Sequence, residues 1–178
     1  MGQCATLHRT TSVFFREFTA NPGNFSGLAK DKGHKTFDQS FEGLRFILSK
    51  NQDPENINLA TQIFYPETCT EEEDLSDFDF TNVPVDFDYE SKSIYYHDPA
   101  KVTAIAQLLE TISIEHFRGL FDPDELNKNE IYPAGVWNKK TGEDQAFNES
   151  YILQEFEYLK EFFISARNEG DYILSFVG

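Results

Sequence analysis

The chain has 178 residues and a formal net charge of -16, long enough to enclose one hydrophobic core without needing a second domain. Its acidity excludes recognition of a nucleic-acid backbone, which depends on clustered Lys and Arg, and it disfavours an anionic membrane surface for the same reason. Eighteen Phe and eight Tyr exclude a disordered composition.

In chain order, Gln3 to Arg9 reads as a strand. Thr11 and Ser12 then cap a short helix carrying Val13, Phe14, Phe15 and Phe18. Met1-Gly2-Gln3-Cys4-Ala5-Thr6 has the spacing of an acylation signal, but that pattern is permissive and the strand reading is preferred. Asn24 to Lys35 lacks periodicity and reads as a surface loop. Thr36 and Gln39 have capping-box spacing, so a helix is expected from there, with Phe37, Phe41, Leu44 and Leu48 on one stripe.

Asn51 to Glu55, containing Pro54, is read as a break. Ile57 to Tyr65 follows with alternating apolar residues and is expected to be an internal strand. Between Glu67 and Glu90 lie ten Asp or Glu and no Lys or Arg, so this stretch supplies most of the net charge. Within and after it, Val83 to Tyr89 and Ser93 to His97 have the composition of short strands.

Asp98-Pro99 marks the clearest helix start, an N-cap followed by proline in the first turn. Val102, Ile105, Ala106, Leu109 and Ile112 then recur at helical spacing. Further helical turns are expected at Ile114 to Phe121 and after Asp122-Pro123. Ile131 to Trp137 reads as an aromatic loop and Asn138 to Asp144 as a polar one with a Thr141-Gly142 turn. A long helix from about Ser150 to Asn168 should turn Ile152, Phe156, Leu159, Phe163 and Ala166 inward, stop at Gly170 and be followed by a strand over Tyr172 to Val177. Helices and strands do not alternate regularly, so the expected class is α+β: one domain over residues 1–178, with a mixed sheet packed against several amphipathic helices.

Four segments spread over the chain carry a family resemblance. They are Phe37-Asp38-Gln39-Ser40-Phe41-Glu42-Gly43-Leu44, Tyr96-His97-Asp98-Pro99-Ala100-Lys101-Val102, Asn129-Glu130-Ile131-Tyr132-Pro133 and Gly170-Asp171-Tyr172 through Val177-Gly178. With the Met-Gly start, they resemble the YfbM-like family, a domain of unknown function (1877). The resemblance implies a compact mixed α/β fold, a bacterial cytoplasmic setting and no catalytic residues to carry over. The family tends to have Lys, Trp and Asp where this chain has Gln39, Phe41 and Glu42, so a ligand that used the lysine and tryptophan would find the site altered.

Several chemistries are excluded by spacing. His8, His34, His97 and His116 are scattered, with no pair on one helix face, and Cys4 and Cys69 lack CxxC spacing. Asp77, Asp79, Thr81 and Asp88 lack the glycine and the terminal glutamate of a calcium loop. No phosphate-binding glycine loop or serine-hydrolase elbow occurs. No metal or cofactor is therefore expected. No uncharged apolar run approaches a membrane span, no secretory signal is seen, both cysteines are read as reduced thiols, and the expected location is cytoplasmic.

Two functional expectations remain. The leading one is a non-enzymatic binding protein, an acidic immunity-like antagonist that docks a basic protein through charge complementarity. Its binding residues would be Asp77, Phe78, Asp79, Phe80, Asp86, Phe87 and Asp88, in which acids and rings interleave, with Tyr132 and Trp137 as further candidates. The alternative is a small-molecule enzyme with a pocket near Tyr132 and Trp137 and with Glu130 or His97 as acid or base. The commonest role for such rings is simpler: they seal the core.

Overall fold

The computed structural model describes residues 2–20, 32–70, 93–140 and 146–178. Its strands are β1 (Cys4–Thr10), β2 (His34–Asp38), β3 (Thr68–Cys69), β4 (Tyr95–His97) and β5 (Tyr172–Val177). Its helices are α1 (Ser12–Ala20), α2 (Phe41–Leu48), α3 (Pro54–Gln62), α4 (Pro99–Thr111), α5 (Ile114–Leu120), α6 (Pro123–Lys128) and α7 (Glu149–Glu169). The strands form one sheet in the order β2-β1-β5-β4-β3. Every described pairing is antiparallel, so the class is α+β as expected but the sheet is not mixed.

Alternation along the strands divides the sheet into two unequal faces. Ala5, Leu7, Phe37, His97 and Ile173 point to one face and are fully or almost fully buried. Helices α2, α4 and α7 cover that side, and their Leu44, Leu48, Ile105, Leu109, Phe156, Leu159 and Phe163 complete the main core with them. On the other face, α1 is the one helix among the described residues. There Phe18, Ile94 and Leu174 make a small cluster, and Phe15 stacks on Tyr172 with ring centroids 4.2 Å apart.

The long helix α7 follows its stripe closely. Ile152, Phe156, Leu159, Phe163 and Ala166 are all buried, and Phe156 lies flat on Phe117 with ring centroids 4.1 Å apart. At its start, Asn148 accepts from the backbone N–H of Tyr151 at 2.9 Å. At its end, Gly170 takes the left-handed φ of 67°, a conformation open to glycine at little cost.

Two elements differ from expectation. Thr36 and Gln39 do not open a helix: His34 to Asp38 pair with His8 back to Cys4 as β2, which also takes the end of the expected Asn24–Lys35 loop. Gln39 then turns the chain at φ 60°, and α2 begins after Ser40. Pairing with β1 buries Phe37, a gain that outweighs one capping hydrogen bond.

The second difference is the expected strand over Ile57 to Tyr65, which is instead α3. Asp53 caps it through bonds from the N–H groups of Glu55 and Asn56, with Pro54 in the first turn. The apolar alternation was incidental: Ala60 and Ile63 are buried, whereas Ile57 is among the exposed large hydrophobics. The expected strand at Val83 to Tyr89 and the Thr141-Gly142 turn lie outside the described residues. Among those described, no helix is long and apolar enough to cross a membrane.

Candidate functional site

At the end of the sheet where Cys4 pairs with Asp38, two of the resemblance-carrying segments meet the start of the chain. The Tyr132 hydroxyl accepts from the backbone N–H of Gln3 at 2.8 Å, and its ring lies 6.4 Å from that of Phe41. Gly2 is so close to this junction that a Cβ there would stand 2.2 Å from Gln39 Nε2 and 3.0 Å from the Tyr132 hydroxyl. On α2, a Cβ on Gly43 would fall 2.3 Å from the Trp137 ring, so the helix packs flat against the indole. The loop that carries both rings has a cis Tyr132-Pro133 bond.

The expected residues divide between core and surface. Trp137 is 3% exposed. Its Nε1–H donates to the Ile131 carbonyl at 3.0 Å, and Asn127 brackets its backbone with two hydrogen bonds. This indole belongs to the core and lines no described cleft. Glu130 is exposed at a left-handed φ of 54°. His97 is buried elsewhere: its Nε2 lies 3.3 Å from the Ile63 carbonyl and its ring centroid 6.1 Å from that of Phe163. Burial holds its pKa down at about 4, which leaves a neutral imidazole donating to a carbonyl. Asp77, Phe78, Asp79, Phe80, Asp86, Phe87 and Asp88 lie outside the described residues.

Two clefts flank the junction. One, of about 560 Å³, is lined by Gln3, Phe64, Tyr65, Tyr95, Ser175 and Val177. The Tyr65 hydroxyl donates to Glu42 at 2.5 Å, and burial together with that carboxylate raises the phenol's pKa. The other cleft, of about 550 Å³, lies between β2 and α7 and is lined by Lys35, Asp38, Gln39, Phe147, Tyr151 and Glu155. Its most buried charged group is Glu155, which accepts from Ser40 Oγ at 2.8 Å and Lys35 Nζ at 3.2 Å. Tyr151 donates to the Asp38 carbonyl at 2.9 Å, and burial is the main cause of its raised pKa.

Both phenols stay protonated at neutral pH and act as donors. Lys35 pairs with Glu155 and Asp38 lines the same cleft, so its described lining has one positive and two negative groups, a balance that favours a cationic visitor. Sequence reasoning missed this cluster because Ser40 and Glu155 are 115 positions apart. One local signal was available: Glu155 sits on the apolar side of α7 between Ile152 and Phe156, where an unpaired carboxylate would be costly.

Among the described residues, helices packed on a five-stranded antiparallel sheet define an α+β architecture. The chain belongs to the family described as Domain of unknown function (DUF1877), whose profile matches residues 1–176. A solved structure with the same fold is the Escherichia coli protein of unknown function YfbM, 16% identical, with a TM-score of 0.64 over 98% of this chain and 99% of that one. No curated protein matches the chain.

Proposed function

We propose that the chain is a non-enzymatic binding protein whose partner is a basic protein, held chiefly by charge, in the manner of an acidic antagonist acting inside the cell. The observation that carries this reading is the concentration of ten carboxylates between Glu67 and Glu90 in a chain of net charge -16. Among the described residues, Arg9, Lys32, Lys35, Arg45, Lys50, Arg118, Lys139 and Arg167 each pair with a carboxylate. Thr70 N–H donates to Ile94 O and Ile94 N–H to Thr70 Oγ1, which ties residues 70 and 94 together beside the β3–β4 pairing. Surplus negative potential of this kind steers a cationic partner and accelerates encounter at low ionic strength.

Pull-down with the full chain, followed by affinity measurement across a salt series, tests the reading. The expected partner is basic, binds more weakly as salt rises, and is bound less well when Asp77, Asp79, Asp86 and Asp88 are replaced by Asn while far-UV circular dichroism is unchanged. Affinity indifferent both to salt and to the four substitutions overturns it.

A further inference from the structure

The α1 face of the sheet holds a pair of histidines that spacing alone gave no reason to join. Arg9 N–H donates to Gly33 O at 3.0 Å, which makes Arg9/Gly33 a hydrogen-bonded level of the β1–β2 ladder. His8 and His34, opposite each other one level along, therefore form a non-hydrogen-bonded pair. At such levels Cα atoms come to about 4.5 Å and side chains on one face are at their closest. The two rings face each other with centroids 4.9 Å apart and planes 27° from parallel, and the Phe176 ring abuts His8 at 5.5 Å.

Among the described residues, His8 Nδ1 is buried with no hydrogen-bond partner. A buried polar atom left unclaimed costs free energy and calls for a reason. The geometry points to a two-imidazole site for a divalent ion of the late first transition row, with His8 and His34 each giving one ring nitrogen and water filling the other positions. Two metal–nitrogen bonds of about 2.0–2.1 Å on neighbouring positions need ring nitrogens about 3 Å apart, so the stacked rings must turn toward a common point, a movement open to His34 because it is exposed.

The chemistry narrows the ion. No group of three or more His, Cys, Asp or Glu fit to hold a metal occurs among the described residues, so this is not a closed structural zinc centre with four protein ligands. Imidazoles with open positions suit Ni2+ and Cu2+, which accept tetragonal geometry, and Cu2+ stands above Zn2+ in intrinsic affinity.

The test is calorimetric titration of the full, tag-free chain with Ni2+ at neutral pH in a non-coordinating buffer, with proton NMR of the histidine rings alongside. The expected result is one equivalent bound, with His8 and His34 ring signals broadened before those of His97 and His116. His34→Ala and His8→Ala should each weaken binding roughly tenfold or more through loss of chelation, and the exposed His116→Ala should leave it unchanged. His34→Ala removes only an exposed ring, so it keeps the test decisive even where His8→Ala perturbs the fold. Absence of saturable binding, undiminished affinity in His34→Ala, or first broadening at another histidine overturns the proposal.

Discussion

The two faces of the sheet are built from the same five strands yet do different work. On the helix-covered face, α7 and its neighbours bury a continuous set of large side chains. On the other, three buried residues form the core of a cluster under α1, and the β1–β2 corner carries Thr6 bonded to Thr36 at 2.9 Å beside the His8–His34 pair. The contrast teaches that stability and surface chemistry have been separated: hydrophobic burial scales with apolar area removed from water, so the face with less area to lose is freer to carry polar pairs.

The largest expected effect lies on the covered face. Leu159→Ala should cost about 2–5 kcal/mol in urea unfolding, the range for a truncated buried leucine, because Leu159 is completely buried. A loss of a few tenths would break the comparison at its stronger end. His97 on the same face should couple stability to pH. Its folded pKa of about 4 lies below the ordinary 6.5, so the unfolded chain binds the proton more readily. Stability is then full above pH 6.5 and falls as pH drops from there to about 4, by up to about 3 kcal/mol for this group. His97→Gln, which keeps an N–H for the Ile63 carbonyl, should flatten that slope, as urea midpoints across pH will show. His8 adds a dependence of the same sign, which the variant retains.

Gly43→Ala probes the junction between α2 and the aromatic loop. The added methyl would meet the Trp137 ring, and overpacking of that kind costs about 1–3 kcal/mol, with a change in tryptophan fluorescence as the local readout. Smallest is Thr36→Ala on the α1 face, where an exposed hydroxyl pair is lost. The expected change is within about 0.5 kcal/mol, and a larger one would mean that the polar corner carries stability after all.

Much of the covered face was legible in sequence. The α7 stripe and the Asp98-Pro99 and Asp122-Pro123 starts follow from local rules of periodicity and capping, and all three appear in the structure. The same dipeptide at Asp53-Pro54 was read as a break because the apolar alternation after it mimicked a strand, an ambiguity that short runs carry by nature. β2 was hidden by a capping-box pattern that pairing with β1 overrode. The clusters around Glu155 and His8 were not legible, since each depends on strand register or on helix–strand contact between distant segments. What marked Trp137 as a candidate was its chemistry; only its position behind Gly43 reveals a core ring.

Native-state hydrogen exchange tests the division between faces most directly, because it reads the free energy of opening at each amide. The amides of Leu159 and Phe163 in α7 should exchange only through global unfolding, whereas those of Phe15 and Phe18 in α1 should exchange through a local opening of lower free energy. Protection in α1 equal to that in α7 would contradict the account, for the two faces would then form one cooperative unit.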